Sequence, residues 1–497
     1  MKREAMSMPE HACNIKAFML HVHNFQSKTA LIYENQHYSF SWLVNTSRAL
    51  GQFLSQRKIR RLAFSLNNSP LNICLYLASW IGGIDCVAIN PRLKAKELIE
   101  ILKTLNTDRV YLESHQLDSE FIRFCQNHKL DYEIIEQPVA YLSAVMIDNG
   151  DKDESKSPIT NDKPSKKTSI TTHISSGSGG RYNLHRHSLK QILDYAYKRP
   201  FDLGLHKDDR LLMALSVNHA CAFSYQLLPA LVMGLTIVIL PQFDPYAIKQ
   251  ALQTNSITSL CLLPTMYHFL IELCEEDPDF RYQLRFAMIA GDQLQPWLKK
   301  RFFQVFKTPL YNGIGMTEIY GYGQNTADEP INNKIRLFDD IEFKVTPFTP
   351  GSDTGELYLK SPMHPLDHDD DWLRTGDIAK KVDDDHILFL GRLKDIIIKG
   401  GSNISPLEIE ARLADFPGMV ENVIVGKKDR IWGQKLVACI SMNKNHNKPS
   451  LAMIRDFLHD KIADYKMPDT LVFFDKIPKN ITGKIDRHQL ARIINEH

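Results

Sequence analysis

The apolar positions of this chain switch repeatedly between a period of two and a period near 3.6. In residues 28–54, TALIYENQHYSF reads as a pair of strands and WLVNTSRALGQFL as an amphipathic helix. Residues 61–66 form a short strand-length run, and residues 70–80 read as a helix ended by Gly82-Gly83. A strand over 85–89 follows, then a helix over 94–105 behind Pro91. This alternation predicts a parallel sheet with helices on its faces. Apolar runs at 211–216, 235–240, 259–264 and 285–290 continue the strands, with helix-like stretches after Phe223 and Pro264. Further on, residues 355–360 and 387–390 read as strands of a β-rich region. Ser405-Pro406-Leu407-Glu408 has the spacing of a capping box, with proline at the first helical position. Strands at 423–426 and 436–441 and a helix over 450–462 complete the pattern.

At 497 residues the chain exceeds one typical core, so at least two domains are expected. Apolar and charged contents of 43% and 24% are those of an ordinary globular protein. The net charge of +2 gives no electrostatic case for nucleic acid or an acidic membrane. Eight cysteines lie scattered without metal-ligand spacing and read as reduced, buried thiols. The N-terminus lacks the pattern of a secretory leader, and no apolar run reaches transmembrane length. The expected location is the cytoplasm. Residues 148–168, rich in Lys, Asp, Ser and Pro, are expected to be a mobile surface loop.

The candidate chemistry lies in six short stretches. Residues 174–187, ISSGSGGRYNLHRH, cluster Ser and Gly after a β-branched run, where backbone N–H groups and hydroxyls can wrap phosphate oxygens. Residues 291–294 read Gly-Asp-Gln-Leu, and residues 311–318 read YNGIGMTE, whose two glycines leave room for a flat ring. WLRTGD at 372–377 puts a carboxylate just past a glycine, and GRLKD at 391–395 is a polar connector between strand and helix. Residues 478–487, PKNITGKIDR, place Lys484 in a glycine-bearing loop near the C-terminus.

Taken in this order, the stretches resemble the motifs of the adenylate-forming enzymes: acyl-CoA synthetases, luciferases and the adenylation domains of peptide synthetases. The resemblance runs from about Thr29 to Arg487. It implies an α/β fold: a large N-terminal domain of parallel-rich sheets with flanking helices and a β-rich subdomain, residues 1–392, hinged to a small, mobile α+β C-terminal domain, residues 393–497. It also implies activation of a carboxylic acid by ATP, with pyrophosphate release and AMP transfer, followed by acyl transfer to a thiol.

By that resemblance Ser175, Ser176, Gly177, Ser178 and Gly180 are the phosphate loop. Gly291, Asp292 and Gln293, with Asn312, Gly313 and Ile314, lie against adenine. Thr317 meets the α-phosphate and Glu318 holds Mg²⁺. Asp377 and Arg392 grip the ribose, Lys394 is the hinge, His219 lies beside the reacting carboxylate, and Lys484 is the catalytic lysine. The acceptor thiol is that of CoA or of a carrier protein's phosphopantetheine.

Several positions depart from the family pattern. Gly179 stands at a usual hydroxyl position, and Tyr182-Asn183 stands where Pro-Lys is expected, so the loop lysine is missing. Arg181 or Arg186 is a candidate source of the lost charge, although a guanidinium is not an equivalent point charge. Ile314 replaces a common tyrosine, and Asp292 is unusual at its position. Ala220 occupies the place of the aspartate that α-amino-acid-activating domains use, which argues against an α-amino acid substrate. Two readings remain open on the sequence: an acid–thiol ligase, favoured by Lys484, Glu318, Asp377 and Arg392, and a weakened, nucleotide-binding homologue, favoured by the altered loop.

Overall fold

The computed structural model describes residues 14–148, 168–176, 182–275, 277, 279–291, 294, 296–325, 333–400, 402–479 and 485–496. The expected mobile loop at 148–168 lies outside them except for its two end residues. Among the described residues, no helix is long and apolar enough to cross a membrane. Their seven cysteines are unpaired, and all but Cys221 are buried.

The βαβ rhythm folds as expected. One sheet of six strands runs in the order Asp131–Ile134, Arg109–Leu112, Arg61–Ser65, Asp85–Ala88, Ile170–Ser176 and Tyr182–Ser188. Its neighbours are parallel except for the last pair, an antiparallel hairpin that aligns Ser175 with Asn183. Helix Pro70–Gly82 is apolar nearly all round and is buried accordingly, and Gly83 ends it in the left-handed region at φ 64°.

A second sheet of thirteen strands carries both halves of the large domain. Its parallel part orders Thr29–Tyr33, Thr236–Ile239, Arg210–Met213, Ser259–Leu262, Phe286–Ile289 and Leu310–Met316 side by side. These strands are short continuous apolar runs because helices cover both faces. Strand Leu310–Met316 then changes partner. Its first residues pair parallel with Phe286–Ile289, whereas Gly313 to Met316 pair antiparallel with Tyr320–Gln324. From there the sheet continues antiparallel through Lys334–Leu337, His386–Arg392, Leu373–Lys381, Thr354–Lys360 and Glu342–Pro347, which is the expected β-rich region.

Beyond residue 396 the chain builds apolar clusters of its own. Ile397, Ile409, Leu436 and Ile454 belong to one cluster and Val423, Cys439, Leu490 and Ile494 to another; neither contains a residue from the N-terminal part. One local expectation fails here, and another is met by longer elements. The helix Pro406–Leu413 begins where predicted, but Ser405 makes no cap hydrogen bond. Its hydroxyl instead donates to the Leu390 carbonyl, and Glu408 takes Lys466 Nζ at 2.7 Å, so tertiary partners outbid the local capping box. The strands expected at 423–426 and 436–441 extend to Met419–Asp429 and Gly433–Met442, because the polar residues between them pair as the exposed end of one hairpin.

Glu410, 1% exposed, ties this region together. Its two oxygens accept from Arg487 Nη1 and Nη2 at 2.7 Å each, and Oε1 also takes the Ile424 N–H at 2.7 Å. Removing one partner of such a pair strands a buried charge, at a cost of about 3–5 kcal/mol. Glu410→Ala is therefore expected to lower the stability of the region after residue 396 by that amount. Hydrogen exchange over the Met419–Asp429 and Gly433–Met442 strands reads it, with protection falling there and not in the parallel sheet. Unchanged protection would show that the pair carries little of the fold.

Candidate active site

Three predicted segments emerge at the carboxyl ends of parallel strands of the same sheet. His219 follows Arg210–Met213, Gly291 follows Phe286–Ile289, and Gly313–Glu318 continues Leu310–Met316. Ligands of open α/β sheets bind at this edge, where backbone groups are exposed and the chain can diverge.

The turn at residues 317–319 carries Thr317 and Glu318. Its geometry comes from the hairpin that flanks it. A Cβ on Gly315 would meet the Tyr320 carbonyl at 2.8 Å, so only glycine fits. Tyr320 leaves the turn at φ 61°, an uncommon conformation for a residue with a side chain. Its ring is fully buried, and its hydroxyl hydrogen-bonds His173 Nδ1 at 3.1 Å. The Tyr225 hydroxyl donates to the Ile314 carbonyl at 3.0 Å, fixing the backbone of the segment expected to lie against adenine.

Two residues further along the same strand, the Tyr322 hydroxyl donates to Asp377 Oδ2 at 3.0 Å. Asp377 and Arg392, the pair expected at the ribose, are direct cross-strand partners. Arg392 Nε lies 2.9 Å from Asp377 Oδ1, yet its N–H is not aimed along that line, so Oδ1 accepts no hydrogen bond. Arg392 Nη1 donates to the Thr375 carbonyl at 3.0 Å. Burial raises the Asp377 carboxyl from 3.8 to about 6, against the opposing pull of Arg392.

The residues expected to form the phosphate loop divide. Ser175 and Ser176 are the last residues of strand Ile170–Ser176, and Gly177, Ser178 and Gly180 lie outside the described residues. Ser175 Oγ shares a 2.8 Å hydrogen bond with His185 Nε2 from the adjacent strand. His185 Nε2 is also 3.7 Å from Glu318 Oε1, and His187 Nε2 is 2.7 Å from the Glu318 carbonyl. Burial lowers the basicity of His173, His185 and His187, the last to about 4. The neutral His187 ring therefore donates its Nε2–H to that carbonyl. The charge of His219 also lowers His173, so His219 lies within electrostatic reach of this cluster. Side chains alternate along a strand, which turns Arg186 away from His185; it pairs with Asp367 at 3.2 Å. Arg186 is thus not beside Glu318, and Asn183 is exposed.

His219 is itself exposed, at the start of a short helix, and its turn is clamped from below. Asn68 Nδ2 donates to the Leu215 carbonyl at 2.8 Å, and Asn68 Oδ1 accepts from the Val217 N–H at 2.8 Å. Asn218 Nδ2 donates to the carbonyls of Leu66 and Ile89 at 3.1 and 2.9 Å. These amides lock the His219 turn to the six-stranded sheet. Asn68, Asn218, Tyr320, Tyr322 and the histidines at 173, 185 and 187 escaped the sequence reading. One signal was present: His185 and His187, two apart on a strand beside a Ser/Gly loop, must share a face.

The remaining expected residues are scattered or undescribed. Lys394 is exposed in the 3₁₀ turn Leu393–Asp395. Gly291 takes φ 79° after its strand, while Asp292 and Gln293 lie outside the described residues. So does Lys484; among the described residues that flank it, Lys479 bridges Ile485, and the Asp486 N–H donates to the Pro478 carbonyl at 3.0 Å.

Residues 18–364 match the family described as AMP-binding enzyme, and residues 408–484 match the AMP-binding enzyme C-terminal domain. The chain belongs to the AMP-binding enzyme family. A 2-succinylbenzoate–CoA ligase of Staphylococcus epidermidis is 24% identical over 93% of this chain and 94% of its own length. ATP-bound MatB from Rhodopseudomonas palustris superposes with a TM-score of 0.82 at 22% identity, covering 97% of this chain and 99% of that one. The o-succinylbenzoate CoA synthetase MenE of Bacillus subtilis, with ATP and magnesium ion, gives 0.75 at 21% identity, covering 95% and 98%. This AMP-binding enzyme therefore shares its whole fold with those proteins.

The raised Asp377 carboxyl has a consequence for stability. Its folded value lies above its unfolded one, so its contribution is complete below about pH 3.8 and is lost as pH rises through about 6. Asp377→Asn removes that loss. The variant is expected to be more stable than the parent at pH 8 by about 3 kcal/mol, and equal to it at pH 4. Thermal unfolding at the two pH values measures this; an equal effect at both would refute the shift.

Proposed function

We propose that this chain is an ATP-dependent, AMP-forming acid–CoA ligase. One observation carries the proposal: a single strand, Tyr320–Gln324, follows directly on the Thr317-Glu318 turn and also holds Asp377 through Tyr322. The groups expected at phosphate and at ribose are thus ordered by one element. The Staphylococcus relative is named for CoA ligation, and it matches nearly the full length.

The donor set fits the nucleotide. Asp377 Oδ1 is buried and accepts no hydrogen bond, which suits a ribose hydroxyl as donor. Arg392, 42% exposed on its side chain, is open to the same ligand. Glu318, 25% exposed on its side chain, offers a carboxylate suited to Mg²⁺. Mg²⁺ would neutralise phosphate charge there. The acid's carboxylate attacks the α-phosphorus, the bond to pyrophosphate breaks, and the acyl-adenylate remains. Thr317 donates to the α-phosphate, and Lys484 stabilises the charge that spreads over it in the transition state. With Asp377 and Arg392 fixing the ribose, attack is effectively intramolecular.

The second step transfers the acyl group to sulfur and releases AMP. We divide the chain at residues 392 and 393, with Lys394 as the hinge that withdraws Lys484 and brings the segment at Gly400-Gly401 to the site. The acceptor thiol is that of CoA, with a carrier protein's phosphopantetheine as the alternative. The acid lies beside His219, and Ala220 disfavours an α-amino acid. The cysteines, reduced and mostly buried, suit the cytoplasm. The exposed Asn183 in place of a loop lysine favours the second reading, a nucleotide-binding homologue of low activity.

ATP–pyrophosphate exchange separates the two. The panel comprises 2-succinylbenzoate, other aryl acids, short dicarboxylates, fatty acids and amino acids. Exchange with one non-amino-acid class, abolished in Lys484→Ala, is the expected result; binding of AMP without exchange on any acid would select the second reading. Asn183→Lys restores a cation at the loop and is expected to lower the KM for ATP by about tenfold, one charge-assisted contact. An unchanged KM would mean that another group already supplies that charge.

A further inference from the structure

His185 is not part of the proposed chemistry so far, yet oxygen atoms from two other segments approach its ring. Its Nε2 lies 2.8 Å from Ser175 Oγ and 3.7 Å from Glu318 Oε1. Two ligand atoms each about 2.1 Å from an ion lie about 3.0 Å apart when cis and about 4.2 Å apart when trans. Both separations therefore fit one coordination shell with little movement. The arrangement is also rigid. His185 and His187 share a face of strand Tyr182–Ser188, and His187 holds the Glu318 carbonyl at 2.7 Å. One strand thus carries the first donor and fixes the backbone of the second. The side chain of His185 is 9% exposed and that of Glu318 25%, so the carboxylate side is the one open to solvent.

We propose that His185, with Glu318 and Ser175, forms a divalent-metal site in which an imidazole nitrogen joins the oxygen ligands, and that this shifts the preference of the nucleotide-bound ion from Mg²⁺ toward Mn²⁺. An all-oxygen site suits Mg²⁺, which holds its waters and is bound through carboxylate and phosphate. Imidazole best suits Zn²⁺, Cu²⁺, Fe²⁺ and Ni²⁺; Mn²⁺ takes oxygen ligands as Mg²⁺ does, but as a transition ion it accepts a nitrogen ligand more readily than Mg²⁺. Ligation takes the Nε2 lone pair and leaves the ring proton on Nδ1. Ser175 Oγ then exchanges its hydrogen bond with Nε2 for the ion or a bound water. The inference rests on the reading of Glu318 as the nucleotide's metal residue and adds a ligand to that same site.

The full chain with ATP and no acid, which holds the first step before chemistry, provides the test. Mn²⁺ binding is followed by electron paramagnetic resonance with electron spin echo envelope modulation, and Mg²⁺ and Mn²⁺ affinities by calorimetry. The expected result is a ¹⁴N modulation from imidazole on bound Mn²⁺, with Mn²⁺ about tenfold or more tighter than Mg²⁺. His185→Gln keeps a hydrogen-bonding partner for Ser175, and should lose the imidazole modulation and at least half of the preference while still binding ATP. A modulation that persists in His185→Gln, or its absence from the parent chain while ATP and Mn²⁺ are both bound, overturns the site and leaves the acid-activation reading standing. Failure of the parent chain to bind ATP with either ion overturns both.

Discussion

Strand Leu310–Met316 is the constraint on which the site depends. It enters as a parallel strand paired with Phe286–Ile289 and leaves as an antiparallel strand paired with Tyr320–Gln324. A strand can change partners in this way only where the backbone swings clear of one neighbour and close to another. Gly313 and Gly315 permit it: a Cβ on the first would meet Met288 Sδ at 2.8 Å, and on the second the Tyr320 carbonyl at 2.8 Å. The turn that reverses the chain carries Thr317 and Glu318, so candidate chemistry sits where the two halves of the large sheet join.

Around that turn the protein has spent burial on imidazoles. His173 and His187 are fully buried and His185 nearly so. Desolvation favours their neutral forms, in which each ring has one donor and one acceptor. His173 meets Tyr320, His187 meets the Glu318 carbonyl, and His185 meets Ser175. The first two contacts join the six-stranded sheet to the hairpin of the thirteen-stranded one, and the third stays within the six-stranded sheet. The same packing that orients Glu318 also sets a nitrogen beside it.

The region after residue 396 follows a different economy. Its apolar clusters are its own, and its charged motif residues are tied to one another. Lys466 meets Glu408, and Arg487 meets Glu410. Glu408 and Glu410 come from the helix after the connector, whereas Arg487 follows the loop that carries Lys484. That helix and the segment just after Lys484 are therefore held together by a buried ion pair.

Strand and helix periods determined the fold class, because a short apolar run bounded by glycine can be buried in few other ways. The glycines, the Thr-Glu pair, Asp377 and Arg392 were singled out because their short motifs, in order, resemble those of a family, and a motif is carried by residue type and local order. The partners that hold these groups were not legible. Ser405 followed by Glu408 reads as a capping box, and only the approach of Leu390 and Lys466 redirects both side chains. Arg186 is a plausible phosphate cation along the chain, and strand alternation turns it to Asp367 instead. Tyr322 gains its role from Asp377, 55 residues away, and His185 from Glu318, across two sheets. Sequence order specifies which groups exist and which face of an element they share; distances between groups far apart in the chain are decided only when the sheets pack.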